Sequence, residues 1–175
     1  MFLAVGALFF GIVLGPNARP EVLIGVAGPM TGANAWPGEQ MQRGAELAVS
    51  DLNAAGGVRG EKIRLLVADD FCDPDQAVAA ARKLVSERVI FVAGHYCSGA
   101  SIPASKVYQD AGVLVISPAS TNPTLTDLGR ANVFRVIGRD DADGVIDGNY
   151  LADHWRGRPY DWRERLAWRA DATGR

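Results

Sequence analysis

Ser98 stands in Gly94-His95-Tyr96-Cys97-Ser98-Gly99, where an imidazole, a thiol and a hydroxyl fall within four residues. Those are the side chains of a nucleophile and its base. Their order does not fit that chemistry. The residue two before Ser98 is Tyr96, so the segment is not a G-x-S-x-G elbow. The only other histidine is His154, and a triad needs an oriented base. No catalytic residue is expected, and an enzyme is not the reading. A second group, Asp69-Asp70 followed by Cys72-Asp73, crowds carboxylates where a strand should end. It suits a cation or, as the expectation here, a solvated turn followed by a helix N-cap. The two histidines and two cysteines lie apart, without paired-ligand spacing, so no metal site is expected. Gly56-Gly57-Val58-Arg59-Gly60 lacks the lysine and hydroxyl of a phosphate loop, and Gly25 and Gly28 do not complete G-x-G-x-x-G. No cofactor is expected.

What remains is a pair of small polar segments. One carries Ser98 beside Gly99; the other reads Ser117-Pro118-Ala119-Ser120-Thr121-Asn122-Pro123. Each taken singly reads as a Ser/Thr turn or a helix cap. Together, hydroxyls, a helix N-terminus and a free carbonyl suit a small zwitterion, with the carboxylate at the helix amides and the ammonium at the carbonyl.

These segments need strands to hold them. Short apolar runs at 22–27, 63–68, 89–93, 113–116 and 133–137 read as strands, the first of them as one buried on both faces. Helical patterns lie between them. The first spans 39–53, with Met41, Ala45, Ala48 and Leu52 as its apolar stripe. The second opens at Asp73-Pro74, with Val78, Ala81, Leu84 and Val85 inward. Others span 101–110 and 140–153. Strand and helix alternate with short connections. The expected fold class is therefore α/β: a Rossmann-like parallel sheet flanked by helices. Ligands in such sheets sit beyond the carboxyl ends of the strands, which places the search at the loops after Ala27, Ala68, Ala93 and Ile116.

Length and charge narrow the function. With 175 residues and a formal net charge of −2, the chain suits one ordinary domain with a tail and offers no basic surface for nucleic acid. Residues 1–14 are almost wholly apolar. They are too few to span a bilayer as a helix, which takes about 20 residues. They fit the core of a secretory signal over residues 1–18, with a retained anchor or a buried first element as alternatives. No Lys or Arg precedes the run, and no small-x-small cleavage site follows it. Cys72 and Cys97 are either a bridge or two separate buried thiols. Composition changes from residue 154: Trp155, Trp162 and Trp168 and six arginines follow, and no strand does. This segment is read as foreign to the fold, as after a frameshift, the alternative being a solvated amphipathic tail.

Several segments carry a family resemblance. Gly28-Pro29-Met30-Thr31-Gly32, Gly44-Ala45-Glu46-Leu47-Ala48-Val49, Asn53 to Gly60, Asp69 to Ala77, Gly94 to Ser98 and Ile116 to Pro123 resemble, in order and nearly without gaps, the leucine/isoleucine/valine-binding proteins of bacterial ABC importers. The resemblance covers residues 22–150. It implies a type I periplasmic-binding-protein lobe over residues 21–153 and a Cys72–Cys97 disulfide. It implies that Ser98 and Thr121 hold the polar head of an amino acid and that the Ala119 carbonyl takes the ammonium. An aromatic pocket wall falls near Trp36, one position out of register. The family continues into a second lobe of similar size, to which nothing here corresponds, so a truncated and impaired binder is expected. The implied function is extracytoplasmic capture of branched-chain amino acids without chemistry, with an inner-membrane ABC permease as partner and a periplasmic location. The competing readings are a ligand-sensing regulator on the same fold, which the apolar N-terminus and cysteines disfavour, and a small α/β hydrolase, which lacks a base.

Overall fold

The computed structural model describes residues 21–155. In chain order the elements are β1 (Glu21–Gly28), α1 (Ala35–Ala54), β2 (Lys62–Asp69), α2 (Pro74–Ser86), β3 (Phe91–Gly94), α3 (Ser98–Ala111), β4 (Leu114–Ser117), α4 (Thr124–Asp127), β5 (Val133–Arg135) and α5 (Asp140–Trp155). The strands form one parallel sheet in the order β2-β1-β3-β4-β5. Strand order reverses between β1 and β3, so the loops leaving those two strands part to opposite sides and open a crevice at their carboxyl ends. The expected α/β class and parallel sheet are what the chain forms.

Alternation along the strands sorts the core. Ala27 of β1, Ala68 of β2, Val92 of β3 and Val115 of β4 share one face and are buried against α2 and α3. The helices bring mainly small side chains to this layer: Ala77, Ala80 and Ala81 from α2, Ala100 and Ala104 from α3, with Leu84 and Tyr108 as the large fillers. Expected stripe residues Val78 and Val85 are only partly buried, because alanines let α2 and α3 approach closely and take the innermost positions. The start of α2 follows the sequence reading. Asp73 caps it, its carboxylate accepting from the amides of Asp75 and Gln76 at 2.9 Å, with Pro74 in the first turn.

The opposite face is covered by α1 over β1 and β2. Its inner line runs through Gly38, Met41, Ala45, Val49 and Asn53. This corrects the expected stripe at two positions: Ala48 and Leu52 are exposed. Asn53 explains the shift, since its side chain exchanges two 2.8 Å hydrogen bonds with the Ile63 backbone and turns the end of α1 toward β2. On this same face Leu114 and Phe134 stay 38% and 49% exposed.

Several boundaries differ from the sequence reading: α1 starts at Ala35 and not at 39, β3 at Phe91 and not at 89, α3 at Ser98 and not at 101, and β5 stops at Arg135 and not at 137; the single turn α4 is an additional element. Among the described residues no helix is long and apolar enough to cross a membrane. The signal-like segment 1–18 lies outside the described residues, as does the tail of 154–175 except for His154 and Trp155, which end α5.

Candidate functional site

Because β1, β3 and β4 are neighbours, the loops at their carboxyl ends lie side by side. Ser98 is the first residue of α3. Its Oγ accepts a hydrogen bond from the Asn122 amide at 3.2 Å, which joins the two segments singled out in the sequence. Starting α3 at Ser98 also changes what its backbone offers. The amides of Ala100 and Ser101 turn back to the Cys97 carbonyl, whereas those of Ser98 and Gly99 head the first turn, where helix amides have no intrahelical acceptor. Such an end favours an anion.

The loop after β4 is held from below by serines. Ser117 Oγ donates to the His95 carbonyl at 2.7 Å and accepts from the Ser120 amide at 3.0 Å. Ser120 Oγ lies 2.5 Å from Ser101 Oγ and 3.1 Å from the Tyr96 carbonyl. Both serines are fully buried, so they build the loop and do not face a ligand. Ala119 and Thr121 are partly exposed between and beyond them. No hydrogen bond within the described residues engages the Ala119 carbonyl, the Thr121 amide or the Thr121 hydroxyl. Trp36 lies in the first turn of α1, after the β1 loop, and is 72% exposed. Ser98, Ala119 and Thr121 are therefore brought to one edge. Trp36 stands apart in the first turn of α1 and touches solvent over most of its surface.

The carboxylate cluster is structural. Asp69 accepts from the Met30 amide at 2.9 Å, the Thr31 hydroxyl at 2.5 Å and the Phe71 amide at 3.0 Å. Burial works against ionisation of Asp69, but the Thr31 hydroxyl and those backbone amides together hold its carboxyl below the usual range. Asp70 accepts from the Cys72 amide at 2.8 Å. Asp73 caps α2 as the sequence reading favoured, but the turn is not solvated throughout: Asp70 is fully buried because its second oxygen meets His95. Phe71 and Cys72 take left-handed backbone conformations, φ 53° and 57°, and this tight turn carries Cys72 to Cys97. The two cysteines are disulfide-bonded with Cα atoms 5.4 Å apart, tying the β2 loop to the residue that precedes α3.

Sequence reasoning missed two features. The first is a buried relay: His95 Nδ1 lies 2.6 Å from Asp70 Oδ2, and His95 Nε2 lies 3.1 Å from the Tyr108 hydroxyl. Burial, reinforced by the negative Asp70, pushes the Tyr108 hydroxyl well above its usual range. With both ring nitrogens so engaged, His95 is no base for Ser98. Its sequence signal was faint, since Asp70, His95 and Tyr108 are far apart along the chain. The second is Arg135, whose guanidinium donates to the carbonyls of Ser120, Asn122 and Pro123 and to the Thr126 hydroxyl. An arginine inside the apolar run Val133-Phe134-Arg135-Val136-Ile137 was its signal.

Known proteins resemble this chain in sequence and fold. The family model described as periplasmic binding protein matches residues 21–160. An amino acid binding protein of Pseudomonas aeruginosa is 54% identical over 141 residues, covering 80% of this chain and 38% of that protein. Leu/Ile/Val-binding protein homolog 1 of Brucella abortus is 47% identical over 150 residues, covering 86% of this chain and 40% of that protein. The chain thus spans about two-fifths of the length of these curated relatives. Among solved structures, the branched-chain amino acid transporter substrate binding protein of Streptococcus pneumoniae in complex with isoleucine is 33% identical. It superposes with a TM-score of 0.72, covering 77% of this chain and 39% of that one. Fold and sequence similarity agree, and the chain belongs to the periplasmic binding protein family.

Proposed function

We propose that this chain is the first lobe of an extracytoplasmic solute-binding protein that captures branched-chain aliphatic α-amino acids for an ABC importer, without chemistry. The observation that carries the reading is the Ser98–Asn122 hydrogen bond, which sets the head of α3 against the loop bearing Ala119 and Thr121. The amino acid's carboxylate meets the Ser98 hydroxyl and the first-turn amides of α3. Its ammonium donates to the Ala119 carbonyl and the Thr121 hydroxyl. Trp36, exposed in the first turn of α1, offers an apolar wall for the alkyl chain. The names of the Pseudomonas and Brucella relatives support an amino acid as ligand.

In the whole-length relatives a second lobe would close over this face and bury the ligand. The permease is the partner that receives it. An oxidising location follows from the disulfide, and residues 1–18 act as the export signal. One methylene in an apolar pocket is worth about 1–3 kcal/mol, so leucine, isoleucine and valine are taken together. Half of the contacts from one lobe give binding near the millimolar range, about 4 kcal/mol.

The test is an NMR titration of the oxidised 175-residue chain with L-leucine and, separately, D-leucine. L-leucine alone should shift the amides of Ser98, Gly99 and Thr121. Equal shifts from both enantiomers, or none from either in a well-dispersed spectrum, would remove the amino-acid assignment.

A further inference from the structure

The loop that carries Ala119 and Thr121 has no regular structure of its own, yet its carbonyls are sorted by direction. Arg135 stands in β5 beside Ser117 of β4 and shares its face of the sheet. Its Nη1 donates to the Ser120 carbonyl at 3.0 Å and the Asn122 carbonyl at 2.9 Å. Its Nη2 donates to the Pro123 carbonyl at 3.2 Å and the Thr126 hydroxyl at 2.6 Å. The Thr121 carbonyl accepts from the Asp140 amide at 3.1 Å. Four successive carbonyls, 120 to 123, are thereby engaged by β5 and the start of α5.

Peptide planarity turns this into a statement about the other side of the loop. In a trans peptide the N–H points opposite to the preceding C=O. Drawing the Ser120 carbonyl onto Arg135 therefore turns the Thr121 amide away from Arg135. The Asp140 amide, by drawing in the Thr121 carbonyl, turns the Asn122 amide toward Ser98 Oγ, and Arg135 braces that peptide through the Ser120 and Asn122 carbonyls on either side of it. A planar fork with fixed donor directions does this in a way that a single ammonium cannot.

We propose that Arg135 is a positioning residue: its guanidinium sorts the loop's carbonyls to one side, leaving the Ala119 carbonyl and the Thr121 amide and hydroxyl for the ligand on the other. The inference rests on the amino-acid reading of this loop, but part of its test does not need a ligand.

The experiment compares the 175-residue chain with its Arg135→Met and Arg135→Lys variants by amide hydrogen exchange and L-leucine titration. Losing the fork should weaken L-leucine binding about tenfold or more. Exchange at Asn122 should accelerate about as much, while Ile24 and Val92 in the central strands stay protected. Ethylguanidinium added to Arg135→Met should restore Asn122 protection, which general loosening of the fold would not allow. Arg135→Lys keeps the charge and serves if the methionine variant does not fold; it should recover only part of the protection. Unchanged Asn122 exchange in both variants overturns the inference whatever leucine does. Accelerated exchange reversed by ethylguanidinium, with no leucine binding by the parent chain, upholds the positioning role and rejects the amino-acid reading instead.

Discussion

His95 and Asp70 form a buried hydrogen-bonded pair, Nδ1 to Oδ2 at 2.6 Å, and neither side chain exceeds 1% exposure. The pair sits under the site, where the His95 carbonyl also accepts from Ser117 Oγ and Ser120 Oγ. It thus connects the disulfide turn, through Asp70, to the two loops of the site.

Asp70→Ala should leave the imidazole buried without its partner and lose about 3 kcal/mol of stability, measured by urea denaturation. The double variant Asp70→Ala/His95→Ala should lose clearly less than the sum of the two single changes. Additive losses would show that the two side chains do not act as a unit.

Tyr108 makes stability fall at high pH. Its hydroxyl is held protonated in the folded state by burial first and by the Asp70 charge second. Unfolded tyrosines titrate near 10, so the contribution is intact below about pH 10 and is lost as pH rises above it. Urea midpoints between about pH 8 and 11 should drop more steeply for the parent than for Tyr108→Phe. Parallel slopes would contradict a buried, protonated Tyr108.

The Cys72–Cys97 bond closes a loop of sequence separation 25. In the chain-entropy model such a loop contributes about 3.5 kcal/mol. Reduction, or the double change Cys72→Ala/Cys97→Ala, should lower stability by about that amount. A loss under about 1 kcal/mol would mean that the reduced chain is already ordered here.

Two glycines of α1 should answer oppositely to alanine. A Cβ at Gly38 would collide with the Pro29 carbonyl, so Gly38→Ala must push α1 off the β1 loop. A Cβ at Gly44 meets nothing within 4 Å, and there alanine should stabilise the helix by about 1 kcal/mol. Thermal denaturation of the two variants should move in opposite directions. A drop in both would contradict the open surface at Gly44.

How much was legible in the sequence follows from the range of the interactions. Continuous apolar runs and Asp73-Pro74 at a helix start are local signals, and they were enough for the parallel α/β fold. Spacing alone left Cys72 and Cys97 open; the resemblance implied their bond, and the structure contains it. The inner line of α1 was misjudged at Ala48 and Leu52 because a tertiary bond from Asn53 rotates that helix end, which hydrophobic periodicity does not see.

The sequence by itself determined the strand and helix succession, the polar segments around Ser98 and Ser117–Pro123, and the family. Which atoms of those segments face outward was decided by tertiary structure. Strand order set the two loops side by side, the early start of α3 freed the Ser98 and Gly99 amides, and Arg135 gathered carbonyls from a loop 12 to 15 residues before it. The direction of a peptide group depends on the partner it finds in space, and adjacency along the chain does not specify that partner.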